Sequence, residues 1–209
     1  METLTKRLNN SIEYRNLTLT IAEDEGEENA YIAEGYATTF DEPYTLYTDG
    51  EYRIDEVVDP HAFDECDMTD VIMQYDHEGR VYARTRNSTL QITPDEHGLY
   101  VRADLSGTES GRQLWEEIHG GYIDRMSFGF VVSGADTEDR KENGQTIVTR
   151  RITGIRKLYD VSAVSIPAND GTDISARKFG DGVIAELETE RRKLIARQQL
   201  ELRLKLLEV

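Results

Sequence analysis

The sequence predicts an α+β fold: a mostly antiparallel, barrel-like sheet with a few helices, followed by a C-terminal amphipathic helix. Three observations predict it. From Leu17 to Ile166, short runs rich in β-branched and aromatic residues alternate in polarity and are separated by turn residues. One internal stretch, Ser110 to Gly121, carries helical spacing instead. From Asp181 onward apolar residues recur every three or four positions among Glu and Arg, with neither Pro nor Gly after Gly182.

Taken in order, residues 1–15 show no clear period and read as a flexible N-terminal arm. Leu17 to Ile21 alternates cleanly as a strand, and Tyr31 to Thr38 returns as its hairpin partner across an acidic turn. Phe40 to Tyr52 reads as a loop, with Pro43 and the Asp49-Gly50 turn signal. Arg53 to Val58 is a short strand, and Pro60 starts a helical turn through Phe63. Asp70 to Tyr75, Val81 to Arg86, Thr89 to Thr93 and Leu99 to Leu105 continue the sheet. On the first of these, Val71, Met73, Tyr75 and His77 share a face, so His77 emerges where the strand ends.

Ser110-Gly111-Arg112-Gln113 has the spacing of a capping box. Leu114, Trp115 and Ile118 form an apolar stripe, and Gly120-Gly121 stops the helix. A strand over Met126 to Val132 follows. Asp136 to Gln145 is a polar hairpin tip, Thr146 to Ile155 a strand, Leu158 to Ile166 the most β-branched run, and Pro167 to Gly171 a turn. The expected organisation is an arm (1–15), one domain (16–177) and a helical tail (178–209). Ile184, Leu187, Leu194, Ile195, Leu202 and Leu206 give the tail a stripe that wants a partner: another copy, a different chain or the body itself.

Composition narrows the function classes. At 209 residues there is room for one good core, and 38% apolar against 31% charged residues describes a soluble globular chain. No apolar run approaches a bilayer's thickness, and the first residues lack a signal peptide's apolar centre. A single cysteine, Cys66, excludes an internal disulfide, and its acidic neighbours disfavour a reactive thiolate. The net charge is −17, and the segment from Lys178 is nearly balanced, so the body carries the excess. So acidic a surface repels a phosphate backbone, which argues against nucleic acid and suits a basic protein partner, a crowded protein assembly or solubility alone.

The chemical candidate is the strand Met126-Ser127-Phe128-Gly129-Phe130-Val131-Val132. Alternation turns Met126, Phe128, Phe130 and Val132 to the core and leaves Ser127 beside a glycine that admits another backbone. Of the four histidines, His97 lies in a turn and His119 at a helix end. His61 sits at a helix start, and His77 is best placed to project into a cleft. His61, Asp64, Asp76 and His77 lack the spacing that fixes metal geometry. No Gly-rich phosphate loop and no Gly-x-Ser-x-Gly elbow is present.

In order, Asp59-Pro60-His61-Ala62-Phe63, Tyr75-Asp76-His77, Ala83-Arg84-Thr85, Ser88-Thr89-Leu90, His97-Gly98-Leu99 and Gly111-Arg112 build up a pattern. Met126-Ser127-Phe128-Gly129-Phe130 and Asp160-Val161-Ser162-Ala163-Val164-Ser165-Ile166-Pro167-Ala168 complete it. Together these blocks, from about Tyr31 to Arg177, resemble the tailed-phage prohead serine protease family, itself distantly similar in fold to the herpesvirus assemblins. The chain departs from the family's usual Gly at His61, Asn at Asp76 and Glu at Asp160.

The resemblance implies a serine endopeptidase of capsid maturation, with Ser127 as nucleophile and His77 as general base. Asp160 is the expected third member, with Asp76 and His61 as alternatives, and the turn around Ala168 and Asn169 is the expected oxyanion donor. The implied substrates are the major capsid protein or its scaffold segment and the chain itself. The implied setting is the assembling prohead in the host cytoplasm, without cofactor, metal, nucleic acid or membrane. Self-association through the tail helix, or targeting by it, is a further expectation. Two rivals stand beside this: a non-catalytic scaffold or capsid-associated protein of the same fold, and a metal-dependent hydrolase.

Overall fold

In the computed structural model, residues 12–21 and 31–165 are described, together with positions 184, 185, 187–189, 192, 193, 195–197 and 199. A long two-stranded ribbon is the spine. Its strands are β9 (Arg125–Glu142) and β10 (Gln145–Val164). The expected polar tip shrinks to Asn143-Gly144, both at positive φ (51° and 85°), as a tight turn matched to strand twist requires. The two strands expected over 146–155 and 158–166 are one. Register shifts between Ile152 and Asp160 absorb the polar interruption and bend the ribbon.

On one side of the ribbon lies β1 (Glu13–Ile21), antiparallel to β9, followed by β2 (Ile32–Thr39), β8 (Gly98–Asp104) and β7 (Leu90–Pro94). The free edge of β10 is shared. Its first half pairs in parallel with β4 (Tyr52–Val58), which carries the edge strand β3 (Tyr44–Thr48). Its second half pairs in parallel with β5 (Ile72–Tyr75), which carries β6 (Glu78–Arg84). Most pairs are antiparallel, but the sheet is mixed.

It is also open, which corrects the expected barrel. Closure needs β6 to pair with β7, and they do not form a ladder. A 3-10 turn (Thr85–Asn87) and left-handed Ser88 (φ 62°) intervene, and Thr89 Oγ1 takes the Arg84 N–H at 2.9 Å. A side chain thus occupies a donor that a ladder would use.

Two further differences are local. β3 falls inside the expected Phe40–Tyr52 loop, because Pro43 and Asp49-Gly50 bracket an edge strand whose only deeply buried side chain is Leu46. β1 starts at Glu13, four residues before the alternation begins. Glu13 and Arg15 are nonetheless buried, because they meet opposite charge. Arg15 Nε donates to Glu56 Oε1 at 2.6 Å and its NH2 to Glu13 Oε2 at 2.7 Å. Arg150 NH1 donates to both glutamates at 2.6 and 2.7 Å, and the Tyr44 hydroxyl donates to Glu56. The cluster ties β1, β3, β4 and β10 together. Burial alone would raise the Glu56 carboxyl, but Arg15 and then Arg150 outweigh it and hold it at about 2.

The core face of β9 is as expected. Met126, Phe128, Phe130 and Val132 are buried with Leu99, Val101, Leu114 and Ile118, and the Phe128 and Phe130 rings stack at 4.7 Å. Helix α1 (Glu109–His119) delivers the chain to β9. Its cap is Thr108 rather than Ser110: the Thr108 hydroxyl accepts the Gly111 N–H at 2.9 Å. Leu114 and Ile118 face inward, Trp115 Nε1 donates to the Ile32 carbonyl at 3.0 Å, and Gly121 turns the chain at φ 72°.

The described residues between 184 and 199 are helical. Of the expected stripe, Leu187 packs on the body against Leu46, Ile54 and Val148. Leu194, Leu202 and Leu206 lie outside the described residues. Among these residues no helix is long and apolar enough to cross a membrane.

Candidate active site

The site forms where β5 and β9 meet the second half of β10. Cross-strand partners turn their side chains to the same face of a sheet. Ser127 lies opposite Ser162, and Gly129 lies opposite Asp160 on one side and Tyr14 on the other. Ser127, Ser162, Asp160 and Tyr14 therefore share the face opposite the Phe128 core. Gly129 keeps it open: a β-carbon there would lie 2.4 Å from Asp160 Oδ1 and 2.7 Å from Tyr14 Cε1.

His77 reaches this face from the β5–β6 hairpin. Tyr75 pairs with Glu78, so Asp76 and His77 form a two-residue turn, with φ 49° and 59°. Such turns favour Asn-Gly, and a histidine at positive φ stores strain of about 1–3 kcal/mol. Three contacts of Asp76 hold it. Its N–H donates to the Ala163 carbonyl at 2.9 Å, and its carboxylate accepts the Ser165 N–H and hydroxyl, each at 2.9 Å. The fourth restraint is His77 itself, whose Nδ1 lies 2.6 Å from Asp160 Oδ2.

An ionised carboxylate can only accept, so with a neutral imidazole this contact places the proton on Nδ1 and leaves the lone pair on Nε2. Asp160 Oδ2 also accepts the Ser162 hydroxyl at 3.2 Å. Among the described residues, two buried side-chain polar atoms have no hydrogen-bond partner: Ser127 Oγ and Asp160 Oδ1. Both belong to this site. Leaving a buried hydroxyl unpaired costs about 1–3 kcal/mol, so it calls for a functional explanation. Ser127 is 1% exposed, and its hydroxyl makes no hydrogen bond to His77 here.

The structure thus gathers Ser127, His77 and Asp160 on one face, while Asp76 and His61 make other contacts. Asp76 serves the turn through Ser165 rather than the imidazole. His61 pairs with Asp64 at 3.0 Å on an exposed turn, where Ala62, Asp64 and Cys66 each donate an N–H to a carbonyl three residues back. His97 lies edge-on to Tyr36, and His119 stacks on Trp115. Among the described residues no three His, Cys, Asp or Glu gather as a metal site would require. Burial, with Asp67 adding to it, pushes the Cys66 thiol up to about 11, far from a reactive thiolate. Ala168 and Asn169, the expected oxyanion donors, lie outside the described residues.

Sequence reasoning missed two neighbours. Ser162 was detectable, since Asp160 and Ser162 put polar groups two apart on the most β-branched run. Tyr14 was not, because Glu13 and Arg15 disguise a buried strand as a polar arm.

Residues 17–182 match the family described as Caudovirus prohead serine protease. The chain is 30% identical over 163 residues to the prohead protease of Enterobacteria phage HK97, an alignment covering 76% of this chain and 65% of that relative. It therefore spans just under two thirds of that relative's length. Among solved structures it resembles the capsid assembly protease of bacteriophage T4, with a TM-score of 0.43 and 12% identity, over 75% of this chain and 98% of that one.

Proposed function

The chain belongs to the Caudovirus prohead serine protease family, and from that premise we propose that it is a serine endopeptidase of capsid maturation. In this reading it cleaves capsid or scaffold proteins, and itself, inside the assembling prohead. Ser127 is the nucleophile, His77 the general base and Asp160 the group that orients the imidazole. The observation that carries the reading is the 2.6 Å bond between His77 Nδ1 and Asp160, formed on the face that holds the unpaired Ser127 hydroxyl.

The chemistry follows from the parts. Serine is a weak nucleophile, so Nε2 must take its proton as Oγ attacks the scissile carbonyl. Asp160 stabilises the resulting imidazolium without itself being protonated. The imidazolium then protonates the leaving amine, and water repeats the sequence on the acyl-enzyme. For the first step Nε2 and Ser127 Oγ must approach to about 2.6–3.2 Å, a contact that commonly tightens only with substrate bound.

The test is to incubate wild type and Ser127→Ala with capsid protein and follow both by intact mass. The proposal expects cleavage of capsid protein and of the chain itself by wild type alone. A non-catalytic scaffold would leave both samples uncut, and a metal-dependent hydrolase would cleave in both and stop with chelator.

The tail (178–209) is assigned to incorporation into the particle, its apolar stripe partly engaged on the body through Leu187. A chain truncated after Arg177 should fold but be left out of proheads. Its incorporation at the full-length level would end that assignment.

A further inference from the structure

The strand β1 enters the site from the side that catalysis does not use. Tyr14 is flanked by Glu13 and Arg15, whose side chains turn to the opposite face. There Arg15 lies over the Phe130 ring, its Cζ 5.5 Å from the centroid, and Glu13 and Arg15 join Glu56 and Arg150 in the buried ionic cluster. Alternation then leaves Tyr14 no choice but the face of Ser127. Its ring centroid lies 4.2 Å from that of His77, tilted by 56°, and its edge shares with Asp160 the small space that Gly129 leaves. Burial first, then the negative charge of Asp160, pushes the Tyr14 phenol up, in keeping with that proximity.

We propose that Tyr14 is a positioning residue of the site: its ring holds the His77 imidazole on the Asp160 carboxylate, and the ionic cluster sets the strand that carries it. The physical need is specific. His77 occupies a turn position with positive φ, on a two-residue hairpin tip restrained from its backbone side by Asp76. One hydrogen bond at Nδ1 leaves the ring free to pivot about that contact, carrying Nε2 away from Ser127. A second contact, the tilted Tyr14 ring packed against the imidazole, removes that freedom, and a misplacement of about 1 Å costs on the order of a hundredfold in rate. Aromatic contact also tolerates the imidazolium formed during turnover. The ring is what matters in this account; the hydroxyl is not.

This inference rests on the assignment of His77 as base, so its test reads the imidazole separately from proteolysis. Full-length Tyr14→Phe and Tyr14→Leu are compared with wild type for capsid-protein cleavage. The same substitutions are compared in a Ser127→Ala chain for the downfield proton resonance of His77 Nδ1–H. Leucine fills much of the space without a flat face, so the strand stays packed and an unchanged Tm verifies it. Tyr14→Phe is expected to keep kcat within about threefold and to keep the resonance. Tyr14→Leu should lose roughly tenfold or more in kcat with KM unchanged, and its resonance should broaden by exchange.

If leucine matches phenylalanine in both readouts, or alters KM alone, the positioning role is overturned. If the resonance follows the ring while wild type shows no Ser127-dependent cleavage, the protease reading falls and the positioning role stands.

Discussion

Gly129 is where the site is tightest at the scale of single residues. A β-carbon at this position would clash with both the Asp160 carboxylate and the Tyr14 ring. Gly129→Ala should therefore lower cleavage by on the order of a hundredfold while the chain still folds, checked by kinetics beside a thermal melt. Ser127→Ala or His77→Ala should each cost several powers of ten. Asp160→Asn keeps the shape but favours the wrong imidazole tautomer, and should cost about three to four powers of ten. Alternation turned Ser127 away from the core face and put His77 at a strand end, whereas Asp160 was named only through the family resemblance. Tyr14 was hidden because its flanking charges are buried only through partners 41 and 137 positions away.

At the scale of elements, β1 is held by charge as much as by its ladder. Breaking a buried pair by removing one partner strands the other, so Glu56→Ala should destabilise the fold by about 3–5 kcal/mol in denaturant titration. The same cluster predicts an acid dependence. The Glu56 carboxyl is depressed to about 2, below its ordinary value near 4.3. Its contribution to stability is therefore fully present above the unfolded value and is lost as pH falls from there through about 2. Wild type should lose stability across that window, and Glu56→Gln should flatten that part of the curve. The elements themselves were read well where alternation is clean, as in β2, β8 and the start of β9. β3 was missed because an edge strand needs only one buried side chain. β9 was cut short because its outer half, Asp136 to Glu142, is exposed and pairs with β10 through the backbone, so polarity there says nothing about pairing.

For the whole molecule, the mixed open sheet differs from the expected barrel through features that no local pattern announces. The parallel pairing of β10 with β4 and β5 joins segments far apart in the chain, and between β6 and β7 stand a 3-10 turn, left-handed Ser88 and the Thr89 hydroxyl on the Arg84 N–H. That division of the β10 edge is also what makes the site. β4 takes the first half and closes the ionic cluster around Arg150, while β5 takes the second half and carries His77 to Asp160. If Ser127 and His77 act as one unit, the rate of capsid-protein cleavage by wild type, Ser127→Ala, His77→Ala and the double variant reveals it: each single variant falls by several powers of ten, and the double variant is no worse than either. Losses that multiply, or cleavage by Ser127→Ala at the wild-type rate, would contradict it.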